Sequence, residues 1–318
     1  MFSTSGFSAS APGSLMLLGE YAVLHGKHAL TCAVNKRMTV TLVPRTDTQI
    51  EIVSSSLGQM TTDLSHLTVA APFQFVLATL KKYQKQLKSG CKITIESQFS
   101  DKVGLGSSAA VTVATLAVLT EWLAIPLSET DMIRQARAII RHVQGLGSGA
   151  DVAACVLGGM VAYKMQPLLA EKLAFQHTLT AIYSGYKTPT VEAVKKVKEV
   201  FVAYPKVVKQ LFQSIDACVL QGIQAIRDQH WLQLGTIMNI QQGLMEALGV
   251  STPLLGGIVN ELREQPAMLG AKISGSGLGD CVVGLGPISE HFLTQFSDQG
   301  VKQIPIEISL QGVIREKI

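Results

Sequence analysis

The stretch "DKVGLGSSAAVTV", Asp101 to Val113, follows an alternating run that reads as a strand and opens a long segment of small apolar residues that reads as a helix. Glycines let the backbone come close to a ligand, and the first amides of a helix point outward with positive partial charge. A glycine-serine turn entering a helix therefore suits phosphate oxygens. Gly104, Leu105, Gly106, Ser107, Ser108 and Ala109 make up the candidate loop, with the two serine hydroxyls placed for phosphate or Mg²⁺. The same residues can also be a plain turn and cap. A third reading takes Gly104, Gly106 and Ala109 as the G-x-G-x-x-A dinucleotide fingerprint, which requires a strand ending in an acidic residue about twenty positions on. The chain instead enters "SETDMIRQARAIIRHVQ" (Ser128 to Gln144), where Ser128, Glu129 and Asp131 are helix-start signals, so the fingerprint is set aside.

Upstream of this stretch the pattern is strand-rich. "TCAVNKRMTVTLVPR" (Thr31 to Arg45), "QIEIVSS" (Gln49 to Ser55) and "CKITIESQ" (Cys91 to Gln98) alternate β-branched residues, with a helical period at Pro72 to Lys88. Downstream, "SSAAVTVATLAVLTEWLA" (Ser107 to Ala124) is apolar nearly all round, as a buried helix is. A strand pair is expected at Gly159 to Met165 and Phe175 to Gly185, then successive helices from about Thr188 to Gln265. Strands return at "AKISGSG", "DCVVGLG" and "QIPIEISL". The change of pattern places a domain boundary near Gly185, giving an N-terminal unit over residues 1–185 and a C-terminal unit over 186–318.

Composition narrows the classes. With 47% hydrophobic and 16% charged residues, the chain of 318 residues is a folded globular protein and not a disordered one. A net charge of +4 without long basic runs, and only 6% aromatic residues, argue against a nucleic-acid partner while suiting a small anionic substrate held by a few local cations. The five cysteines are widely spaced in apolar contexts and read as reduced core residues of a cytoplasmic protein. No signal peptide or membrane-length apolar run is expected at the start, where Gly19 and Glu20 interrupt the apolar stretch.

Three further segments carry candidate chemistry. "GLGSGADVAACVLGG" (Gly145 to Gly159) holds a single carboxylate, Asp151, among small residues; it either caps the helix starting there or has a chemical task. "APGSLMLLGEYAVLHGKHAL" (Ala11 to Leu30) places Glu20 and Tyr21 between a strand-like run and a glycine-bounded turn, with His25 close by. "AKISGSGLGDCVVGL" (Ala271 to Leu285) is a second glycine-rich turn between strand-like segments.

Taken in order, "APGSLMLLGEYAVL", "GLGSSAA", the SGAD segment and "KISGSGLGDC" resemble the GHMP kinases of small metabolites, within them the mevalonate branch, over Ala11 to Leu285. The resemblance implies an α+β fold, with an N-terminal domain like ribosomal protein S5 domain 2, a ferredoxin-like C-terminal domain and an active site between them. It implies ATP phosphates on the "GLGSSAA" loop with Ser107 or Ser108 near Mg²⁺, of which Ser108 is the candidate metal contact. Gly275 to Gly279 would line the far side, with Gly275 and Gly277 toward the nucleotide. Asp151 aligns with the aspartate that acts as base or orienter of the attacking hydroxyl, and Glu20, Tyr21, His25, Ser148, Gly149 and Ser276 are the candidate substrate contacts. Such chemistry rewards positioning and charge neutralisation, and a carboxylate can take the acceptor's proton.

Finer likeness, in "GSGADVA", "GDC" and "GEY", is similar to phosphomevalonate kinases and makes 5-phosphomevalonate the expected acceptor, with mevalonate the alternative. Two departures stand out. The family usually has lysine after "APG", where this chain has Ser14, so another cation such as Lys187 or Lys102 is needed; Lys187 is the candidate. Mevalonate kinases carry a magnesium-binding glutamate one helix before the aspartate, where this chain offers Arg137 and Arg141, either for an extra substrate phosphate or as a solvated face. Ser14 also leaves room for a non-catalytic metabolite-binding relative, and an ATP-consuming decarboxylating relative shares the pattern. The resemblance allows a homodimer.

Overall fold

A computed structural model describes residues 6–100 and 103–318. Two long strands, β1 (Phe7–Leu18) and β2 (Ala29–Pro44), form the spine of the first sheet. They pair antiparallel over nearly their whole lengths, with an irregularity at Pro12/Gly13 where the proline cannot donate to the ladder. Beyond β2 lie β3 (Gln49–Ser54), β4 (Gly58–Asp63), the helix α1 (Gln74–Lys82) and β5 (Cys91–Ser97). β5 pairs with the second half of β2 and runs parallel to β3. The hairpin strand β4 was not legible, because GQMTTD is solvated and lacks apolar alternation.

Helix α2 (Ser107–Trp122) is buried on almost every side, as its uniform apolarity requires, and lies on β1 and β2. The Ser128 hydroxyl accepts from the Asp131 amide and starts α3 (Glu129–Gln144); α4 (Ala150–Leu157) then returns to β1 and β2. Next, β6 (Met160–Lys164) pairs with the first half of β2 and with β7 (Leu169–Leu173), so the expected partner of β6 is replaced by the unpredicted LAEKL segment.

The strand expected to close the first unit, β8 (Leu179–Tyr183), instead begins the second. Four helices follow: α5 (Thr190–Phe201), α6 (Pro205–Arg227), α7 (Trp231–Ala247) and α8 (Pro253–Arg263). The second sheet has the order β11-β8-β10-β9, with β9 (Gly270–Ser274), β10 (Cys281–Leu285) and β11 (Lys302–Ile304), all antiparallel and covered by α7 and α8. "QIPIEISL" is strand only at its start, because Pro305 ends β11. The last strand, β12 (Ile314–Lys317), crosses back and pairs with β1. The pattern change near Gly185 therefore marks a switch from strand to helix inside the second unit, and a single cut at 185/186 does not separate the sheets. The architecture is α+β, and among the described residues no helix is long and apolar enough to cross a membrane.

Candidate active site

A cavity of about 1000 Å³ opens where the end of β1, the N-termini of α2 and α4, the segment after β8 and the β9–β10 turn converge. Gly106, with φ +64°, precedes α2 in the left-handed region. A Cβ on Gly106 would fall 2.2 Å from Ser14 Oγ, so only glycine lets the loop press against β1. The Ser14 amide donates to the Leu105 carbonyl at 3.0 Å and fixes that approach. Gly104, Gly106, Ser107, Ser108 and Ala109 line the cavity, and the first amides of α2 lack intrahelical acceptors, as at any helix start. Leu105 does not line it; its side chain is buried in the core, and only its backbone serves the loop.

Asp151 is the second residue of α4, whose cap position is Gly149. Its side chain does not cap: the Ser14 hydroxyl donates to Oδ1 at 2.9 Å, which rules out the plain capping reading. Burial pushes the Asp151 carboxyl above its ordinary range, opposed by the Ser14 hydrogen bond and the positive charge of Lys187. Lys187 lines the cavity from the segment after β8, so it supplies a cation near the carboxylate while Ser14 supplies a hydrogen bond. Lys102, the other candidate cation, lies outside the described residues. The Ser148 and Gly149 backbone is set by two clamps. Tyr163 donates its hydroxyl to the Ser148 carbonyl at 2.7 Å, and Arg137 Nε donates to the carbonyls of Ser148 at 2.8 Å and Gly147 at 3.2 Å. Arg137 thus holds the turn that presents Asp151, and exposed Arg141 is not among the cavity-lining residues.

Across the cavity, Gly275 and Ser276 line the wall, whereas Gly277 turns away against the Val250 carbonyl. Tyr21 donates its hydroxyl to the Ser276 carbonyl at 2.5 Å and so braces this turn. Asp280, the acidic residue of the "GDC" likeness, is a second carboxylate of the site and only 6% exposed. A Cβ on Gly104 would fall 2.1 Å from Asp280 Oδ1, so this glycine lets the two turns meet. Burial raises the Asp280 carboxyl to about 6, with Lys187 opposing the rise and Asp151 adding to it. The available signal was an acidic residue inside a glycine turn, a place where aspartate is ordinary.

Two expected substrate contacts are placed differently. Glu20 reaches the cavity wall, but its carboxylate pairs with Lys272 Nζ at 2.5 Å and accepts from Gln241 Nε2, tying β1 to β9 and α7. Burial pushes Glu20 up and Lys272 down, while the charge of each opposes the other's shift. His25 is off the cavity. Its ring stacks on Phe212 of α6 with centroids 4.4 Å apart, and burial lowers its pKa. A one-turn 3₁₀ segment, Ala22–His25, turns it toward α6.

Comparison with known proteins gives a consistent result. The profile described as GHMP kinases N terminal domain matches residues 74–159, and that described as GHMP kinases C terminal matches residues 223–291. The chain is 30% identical over 331 residues to a mevalonate kinase of Pyrococcus furiosus, covering 98% of each chain. It is 33% identical to a mevalonate kinase of Archaeoglobus fulgidus, covering 87% of this chain and 91% of that one. Among solved structures, the Lin0012 protein of Listeria innocua superposes with a TM-score of 0.84 at 22% identity, over 98% of this chain and 99% of that one. The Streptococcus pneumoniae phosphomevalonate kinase, solved with phosphomevalonate and AMPPNP, superposes with a TM-score of 0.79 at 18% identity, over 95% and 99%. At these identities the two structures speak for the fold.

Proposed function

The chain belongs to the GHMP kinases, and from that premise we propose that it transfers the γ-phosphoryl group of ATP to the 5-hydroxyl of mevalonate. The observation that carries this reading is the full-length likeness to relatives named mevalonate kinase. The motif likeness that favoured 5-phosphomevalonate is supported only to the level of the kinase family. Arg137, the nearest candidate for a second substrate phosphate, spends its Nε donor on backbone carbonyls, and Lys187 is the one cation lining the cavity among the described residues. With one cation lining it among the described residues, the cavity suits an acceptor with one carboxylate better than one that also carries a phosphate. Kinase relatives likewise weigh against the non-catalytic reading.

In this reading the donor phosphates lie against the α2 amides and the Gly104–Ser108 loop. Ser14 fixes Asp151 Oδ1, so Oδ2 is the oxygen assigned to the acceptor hydroxyl, whose proton it takes. Lys187 opposes the rise that burial imposes on that carboxyl and faces the charge developing on the transferred group. Gly275 and Ser276 close the far side, with Ser148 and Gly149 beside the acceptor. The oxygen-rich lining fits a magnesium ion: the Ser107 and Ser108 hydroxyls and the nearby carboxylates are hard donors, and Ser108 would help hold it. When bound, that ion neutralises phosphate charge.

A coupled ADP-release assay with Mg-ATP, comparing mevalonate with 5-phosphomevalonate, tests the acceptor. Turnover with mevalonate alone is expected; turnover confined to 5-phosphomevalonate would return the assignment to the motif-based reading. Lys187→Met should lower kcat about a hundredfold with the fold intact by circular dichroism. Undiminished turnover would remove Lys187 from the mechanism.

A further inference from the structure

Three carboxylates line the cavity among the described residues: Glu20, Asp151 and Asp280. Two are accounted for inside the protein, Glu20 by Lys272 and Gln241, and Asp151 Oδ1 by the Ser14 hydroxyl. Asp280 differs, because its Oδ1 is buried with no hydrogen-bond partner. An unmatched buried carboxylate oxygen is costly, and of the buried side-chain atoms left without a partner among the described residues this is the one that carries a charge when ionised and lines the cavity.

The backbone gives a second indication. Asp280 has φ +72°, a conformation that non-glycine residues seldom adopt. Two main-chain bonds hold it there: its amide donates to the Tyr186 carbonyl at 2.8 Å, and its carbonyl accepts from the Ser184 amide at 2.9 Å. The result of this fixed, unfavourable geometry is a carboxylate held against Gly104, at the edge of the glycine loop that leads into α2. Aspartates that serve a turn spend their oxygens on nearby amides, and this Oδ1 does not.

Lys187 acts on both Asp151 and Asp280, so one ammonium serves two carboxylates and the trio carries a net negative charge when ionised. Among the described residues Lys187 is the one cation lining the cavity, and an anionic polyphosphate entering this corner needs more positive charge than that. Hard divalent cations on nucleotides are held by one or two carboxylates together with the phosphates, and need no cage made wholly of protein. The geometry points to Asp280 as the carboxylate ligand of the divalent cation that the nucleotide carries, at the junction of the β9–β10 turn and the glycine loop. This assignment rests on reading the cavity as a nucleotide site.

Mn²⁺ titration followed by electron paramagnetic resonance, with ADP as the nucleotide, tests the assignment without turnover. In Asp280→Asn, Mn²⁺ affinity in the presence of ADP should fall about tenfold or more, while ADP affinity without metal stays the same or tightens because a negative charge is gone. Mn²⁺ affinity equal to that of the unmodified protein would overturn the proposal. Should the asparagine variant not fold, Asp280→Glu keeps the charge and displaces the oxygens by one methylene. It should weaken Mn²⁺ at unchanged metal-free ADP affinity, and an unaltered ratio of the two affinities would again overturn the assignment. Absence of any ADP-dependent Mn²⁺ binding by the unmodified protein would instead overturn the nucleotide-site reading itself.

Discussion

Asp151→Asn should lower kcat for the proposed phosphoryl transfer to mevalonate about 10³-fold, roughly 4 kcal/mol of transition-state stabilisation, while leaving ATP affinity nearly unchanged. The amide has the shape of the carboxylate, and its oxygen can still accept from Ser14 at the position Oδ1 now holds. What it loses is the capacity to take a proton. Because burial already makes the Asp151 carboxylate costly to keep charged, the neutral variant should be as stable as the parent or slightly more so. Single-turnover ADP release with thermal unfolding as a companion measurement separates chemistry from folding. A variant that turns over at the parent rate would mean that Asp151 orients substrate at most, and that the acceptor's proton leaves by another route.

Lys272→Met should produce the largest loss of stability, about 3–5 kcal/mol, because it leaves Glu20 buried opposite no cation. At roughly 2 °C per kcal/mol for a chain of this size, the melting temperature should fall by about 6–10 °C. The pair joins the end of β1 to β9, so the loss falls on the contact between the two sheets. The double variant Glu20→Gln, Lys272→Met should recover most of it, since removing both charges removes the unmet desolvation as well. A single variant that melts with the parent would show that Glu20 is neutral and indifferent to its neighbour.

The fold was legible where one segment carries its own instructions. The uniform apolarity of α2 required a helix buried all round, and Ser128 with Asp131 marked the start of α3 through a hydrogen bond between residues three apart. Asp151 could be singled out because a lone carboxylate among small residues needs a reason. What stayed hidden depends on partners distant in sequence. Ser14 read as a missing cation, because its bond to Asp151 spans 137 positions. Lys272 read as a strand residue and His25 as a site residue, yet one is the counter-charge of Glu20 and the other packs on α6. Asp280 escaped because a turn aspartate is ordinary until the structure sets it against Gly104. Strand β7 went unseen because five mixed residues, LAEKL, carry too little periodicity to register.

The return of β12 to β1 means that the first sheet is completed by residues reached only after the whole second unit has been traversed. A cut between the halves therefore breaks the first sheet. A fragment ending before β8 would leave β1 with a bare edge, a row of unpaired amides and carbonyls ready to recruit a neighbour's strand. The two walls of the cleft are therefore expected to melt together, as a single calorimetric transition would show.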